Sequence, residues 1–128
     1  MKFVTFFKMA CGATASILSY LFGGIDMLFQ ALLFCVACDY ITGIMAAIYE
    51  KNLNSSKSFK GLLKKIAILL LVALGHCIGQ VTGAEAVREM VIGFYIANEG
   101  ISILENCGRM ELPVANKLKN ILEKLHDS

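Results

Sequence analysis

Ile66-Ala67-Ile68-Leu69-Leu70-Leu71-Val72-Ala73-Leu74 contains no polar side chain and heads an apolar stretch that continues to Val81. Turn and charge signals separate three further stretches of the same kind: Phe3 to Phe22, Met27 to Tyr49 and Met90 to Leu104. Crossing the hydrocarbon of a bilayer takes about 20 predominantly apolar residues in a helix. The sequence therefore predicts an all-α membrane protein with about four transmembrane helices, over 3–22, 27–49, 66–81 and 90–104. Three spans are the alternative, because the last stretch is interrupted by Asn98 and Glu99 and is also readable as an interfacial helix. Composition agrees, with 57% hydrophobic and 17% charged residues against about 45–50% and 25% in soluble domains. The excess apolar surface needs lipid.

The connections predict orientation. Lys51, Lys57, Lys60, Lys64 and Lys65, opposed only by Glu50, lie between the second and third spans, where they read as a membrane-surface cluster on the cytoplasmic side. Lys2 and Lys8 put the N-terminus on the same side, whereas the other connections hold Asp26 or the mixed set Glu85, Arg88 and Glu89. With four spans both termini are cytoplasmic.

Two short amphipathic helices complete the pattern. Asn54-Ser55-Ser56-Lys57-Ser58 reads as a turn and helix cap, leading into Phe59-Lys60-Gly61-Leu62-Leu63-Lys64-Lys65 ahead of the third span. Pro113 opens a tail helix in which Val114, Leu118, Ile121, Leu122 and Leu125 recur at helical spacing. The chain thus divides into a transmembrane domain over 1–108 and an amphipathic cytoplasmic tail over 109–128.

Several function classes are disfavoured. A net charge of +2 is too small for a nucleic-acid partner. Four of the five cysteines, Cys11, Cys35, Cys38 and Cys77, sit in apolar stretches as small hydrophobes, so no disulfide framework follows. The Cys35-Val36-Ala37-Cys38 pair lacks the second ligand pair that a metal site needs, and no other metal or cofactor signature stands out. Nothing resembles a nucleophile–base pair or phosphate loop, so an enzyme is not expected. The Lys2 start and Ala13-Thr14-Ala15 imitate a secretory signal, but Lys8 breaks the apolar run and Met1 is present, so a span is expected instead.

Polar residues inside the spans are the candidates for function, because an intramembrane charge costs about 2.5–3.5 kcal/mol on insertion scales. Asp39, Thr42 and Gly43 share a small and polar face of the second span with Cys35 and Ala46. Asn98, Ser102 and Asn106 form a stripe on the fourth, flanked by Glu99 and Glu105. Gly75, Gly79 and Gly83 repeat a G-x-x-x-G spacing that admits close backbone approach, and His76 adds a polar group beside them. Asp39 and Glu99 either hold the bundle together, satisfied by Thr42, Asn98, Ser102 or His76, or line a path and control assembly into a homo-oligomer.

Taken in order, Asp39-Tyr40-Ile41-Thr42-Gly43-Ile44, Leu53-Asn54-Ser55-Ser56-Lys57 with Gly61 and Lys64-Lys65-Ile66, Phe94-Tyr95-Ile96-Ala97-Asn98-Glu99-Gly100-Ile101-Ser102-Ile103-Leu104-Glu105-Asn106 and Leu112-Pro113 resemble the toxin-secretion and phage-lysis holin family. The resemblance covers about Asp39 to Leu125, and the Asn98 to Asn106 run is its most specific part. Members often carry an acid where this chain has Gly75-His76-Cys77-Ile78-Gly79-Gln80, and a second proline where Ala115 stands. The resemblance implies a small protein of the bacterial cytoplasmic membrane that oligomerises into lesions, letting an endolysin or toxin cross. A small ion channel built on Asp39, His76 and Glu99, or a membrane scaffold recruiting a partner through its amphipathic segments, are the competing readings.

Overall fold

A computed structural model describes residues 1–113 and 115–127. Among them are five α-helices: α1 (Lys2–Phe22), α2 (Met27–Tyr49), α3 (Ser55–Thr82), α4 (Ala86–Arg109) and α5 (Ala115–Asp127). Their ends follow from local chemistry. Gly23 terminates α1 in the left-handed region at φ 80°, its N–H donating to the Ser19 carbonyl. The Asp26 carboxylate accepts the Phe29 N–H and caps α2, and Asn54 does the same for α3 through the Ser56 and Lys57 amides.

α1, α2 and α3 are long and apolar enough to cross a membrane. The second predicted span coincides with α2. The amphipathic lead-in and the third span, expected as separate helices, form one 28-residue helix, because no breaker separates Lys65 from Ile66. α4 begins and ends outside the predicted 90–104, with 24 residues from Ala86 to Arg109. It is long enough for a bilayer, rising about 36 Å, but Asn98, Glu99, Glu105 and Asn106 make it more polar than α1, α2 and α3. The tail helix forms as expected, although Val114 lies outside the described residues.

The most polar long helix is the central one. α4 packs against α2, α3 and α5, whereas α1 lies along α3, its last residue Phe22 stacking on Phe29 of α2 and accepting from Arg88 of α4. The reason is the spacing of what each helix turns inward. α2 offers Phe29, Leu32, Val36, Asp39, Gly43 and Ala46, and α3 offers Lys65, Ile68, Val72, Gly75 and Gly79. α4 answers with Arg88, Ile92, Tyr95, Glu99, Ser102 and Asn106. Steps alternating between three and four are those of left-handed helix packing. Leu32, Val72 and Ile92 close the apolar half of this seam.

Gly75 lets α3 meet α4, and Gly79 lets the connection between them fold back on α3. A Cβ on Gly75 would lie 3.3 Å from the Arg88 Cα, and one on Gly79 would lie 3.0 Å from the Ala84 carbonyl oxygen. Gly83 departs from the predicted packing ridge. It caps α3 at φ 77° with open space around it, so its glycine serves the turn and not a contact. Gly79→Val is accordingly expected to destabilise the bundle by roughly 1–3 kcal/mol through overpacking. Gly83→Ala is expected to cost about 1–2 kcal/mol of backbone strain. Detergent unfolding followed by circular dichroism measures both, and an unchanged Gly79→Val midpoint would contradict the close approach.

Candidate functional site

Lys65 joins the two acids. Its ammonium donates to both Glu99 carboxylate oxygens, at 2.9 and 2.8 Å, and pairs directly with Asp39. The Asn106 amide donates to Asp39 Oδ1 at 2.9 Å, to the Asp39 carbonyl at 3.1 Å and to Thr42 Oγ1 at 3.0 Å. Asp39 is 5% exposed and Glu99 1%. Three helices thus contribute to one buried polar network, each through a position on its inward seam.

This arrangement is decisive for specificity. Lipid tails are as apolar as leucine, so burying apolar side chains between helices gains little beyond packing. Pairing buried charges, by contrast, is obligatory once they leave water. One ammonium against two carboxylates leaves either one net negative charge or one shared proton. A cavity of about 240 Å³ opens from the α2–α3 connection to Asp39 and Lys65, past Asn52, Lys57 and Arg109. A second groove reaches the network between α3 and α4, past Lys64, Asn98 and Ser102.

An arginine clamp lies at each end of α4. At one end Arg88, 7% exposed, donates twice to the Asp26 carboxylate at 3.0 Å, and also to the Phe22 and Gly24 carbonyls. Arg88 holds the Asp26 carboxyl below its ordinary value of 3.8. At the other end Arg109 pairs with Glu50 at 2.6 Å, and the Tyr49 hydroxyl donates to Glu111 at 2.7 Å. Asp26 and Glu50 flank α2, so the clamps bracket α2 and α4 over one common length.

The predicted candidates separate accordingly. Asp39, Glu99, Thr42 and Asn106 meet in the network, with Ser102 lining its lateral groove and Gly43 lying beside the Asn106 amide. Thr42 accepts from Asn106, and its own hydroxyl donates to the Cys38 carbonyl at 2.7 Å. Lys65, expected at the membrane surface with Lys51, Lys57, Lys60 and Lys64, is drawn inside because it falls on the inward seam of α3. The other four lysines are exposed. His76, expected near the acids, sits instead beside Gly23 and Arg88, since Gly75 puts that turn of α3 against the start of α4. Asn98 and Glu105 are exposed on α4, and Glu105 pairs with Lys119 of α5 at 3.3 Å. The clamping roles of Arg88 and Arg109 went unnoticed in the sequence. Their signal is the continuation of the Ile92, Tyr95, Glu99, Ser102 and Asn106 steps to both ends of α4.

The bacteriophage holin family model matches residues 16–127. The chain belongs to that family. Among relatives, an uncharacterised protein of Listeria monocytogenes is 47% identical over 108 residues, covering 84% of this chain and 77% of the relative. An uncharacterised protein of Halalkalibacterium halodurans is 38% identical over 124 residues, covering 92% of each. A 14.9 kDa protein in the nagH 3′ region of Clostridium perfringens is 31% identical over 126 residues, covering 97% of this chain and 96% of the relative. No solved structure matches. The matched region of this holin-like membrane protein includes the whole network and both arginine clamps.

Proposed function

We propose that this protein accumulates in the bacterial cytoplasmic membrane, oligomerises and opens lesions through which an endolysin or toxin passes. The buried Asp39–Lys65–Glu99–Asn106 network carries this reading. It hides one polar face from each of three helices inside an apolar bundle, and the same faces would suit an aqueous opening if several copies exchanged partners. α4 crosses with α2, because the Asp26–Arg88 and Glu50–Arg109 clamps bracket the two helices over one length. Four spans then put both termini on the cytoplasmic side, with the lysines of the α2–α3 connection.

Expression with and without a co-expressed endolysin, followed by optical density and membrane potential, tests the function. The expected result is depolarisation in both cultures and rapid lysis only with the enzyme. Asp39→Asn and Glu99→Gln, at matched expression, are expected to shift the onset of lysis. An unchanged schedule would remove the acids as control points. The cavity leading to Asp39 and Lys65 favours ion-sized conduction as the competing reading, which vesicles loaded with dyes of graded size separate. Release of large dyes supports lesions, whereas passage of ions alone supports a channel.

A further inference from the structure

α5 sorts its side chains in a way that its contact with α4 does not explain. Toward α4 it turns Leu122, near Gly100, His126, whose ring centroid lies 4.5 Å from that of Phe94, and Lys119, paired with Glu105. Leu118, Ile121 and Leu125, at helical spacing on the adjoining face, remain 46%, 49% and 67% exposed. Lys117 and Lys124 border that apolar stripe on the side away from α4, while Glu123 and Asp127 lie on the opposite side of the helix. An apolar stripe edged by lysines, with the acids turned away, is the pattern of a helix seated at an anionic lipid surface.

Depth adds a second observation. Leu122 lies beside Gly100, next to the Glu99 that binds Lys65, so α5 flanks the bundle at the level of the buried network. The exposed residues Lys57, Lys60 and Lys64 form one stripe on α3, ending at that same level. Above them the lipid-facing run from Ile66 to Val81 rises only about 24 Å, short of the roughly 30 Å hydrocarbon thickness. Polar side chains of α5 require water at a depth where an unperturbed bilayer would place acyl chains.

We propose that α5 and the lysine stripe of α3 form a docking surface for anionic phospholipid headgroups, drawn inward to the depth of the Asp39–Lys65–Glu99 network. The leaflet beside the bundle is thereby thinned, and mismatch of this kind favours association of copies. This rests on the membrane placement given above and deepens it, without requiring that lesions form.

The chain contains no tryptophan, so single Ile121→Trp and Asn120→Trp reporters in the full-length protein test the surface. In phosphatidylglycerol-rich vesicles, acyl-brominated lipid is expected to quench the Ile121→Trp protein severalfold more than Asn120→Trp, and aqueous acrylamide to do the reverse. The difference is expected to shrink in pure phosphatidylcholine, and with Lys57→Gln, Lys60→Gln and Lys64→Gln combined. Equal acrylamide access of both reporters would overturn the proposal. So would protection of Ile121→Trp that follows protein density instead of lipid charge, which would assign the stripe to a second copy. These readings are independent of lysis, so their failure leaves the lesion-forming reading to its own test.

Discussion

Lys65→Met is expected to destabilise the bundle by roughly 3–5 kcal/mol, the range for removing one partner of a buried ion pair. Lys65 is the ammonium shared by Asp39 and Glu99, so its loss leaves two carboxylates facing each other, with the Asn106 amide still donating to Asp39. The penalty is desolvation and repulsion, not lost volume, since methionine fills much of the same space. Combining Lys65→Met with Asp39→Asn and Glu99→Gln should therefore recover most of the loss, the amides needing no counter-charge. Detergent-induced unfolding of the single and triple variants measures this. A Lys65→Met protein as stable as the parent would mean that the ammonium does not neutralise the acids, and the network would lose its place in the proposed function.

Arg88→Met is expected to cost about 1.5–3 kcal/mol, the range for hydrogen bonds to a charged group, because Arg88 is buried while its partner Asp26 lies at the surface, and to act at the other end of the bundle. Arg88 uses its planar fork on Asp26 and also satisfies the Phe22 and Gly24 carbonyls. Lysine is too compact a donor to reproduce that set, so Arg88→Lys should recover only part of the loss. Maleimide labelling of a cysteine placed at Ile25 reports the loosened turn directly, and should accelerate in both variants. Because Asp26 titrates below its ordinary value when folded, its contribution is present above about pH 3.8 and is lost only as pH falls through its lowered folded value. The turn is thus expected to be insensitive to pH near neutrality and to loosen in strong acid. A labelling rate that rises between pH 8 and pH 6 would contradict the pairing.

Much of the fold was legible because one-dimensional signals decide it. Apolar length gave the approximate extent of α2, Asn54 announced the start of α3, and the Leu118, Ile121, Leu122 and Leu125 spacing announced α5. The Asp39 and Glu99 pair was also legible as a cost that some partner must offset. What the sequence left open was the partner. Lys65 sits among surface lysines at 57, 60 and 64, and only the inward seam through Ile68, Val72 and Gly75 distinguishes it. His76 was a reasonable candidate by composition, yet the register of α3 against α4 carries it to the far clamp.

An all-α membrane protein, its apolar helices in order, the capped turn at Asn54 and two acids that require neutralising can all be read along the chain. Those properties reside in single segments, where hydropathy and helical spacing act locally. The central place of the polar α4, the Lys65 bridge from Asp39 to Glu99 and the clamping of α4 by Arg88 and Arg109 emerge when the helices pack. The physical reason is that a charge in a low-dielectric interior is stabilised by whichever opposite charge lies within a few ångströms. That proximity is a property of how helices pack, and residues 26, 34 and 59 positions apart in the chain become neighbours only when they do.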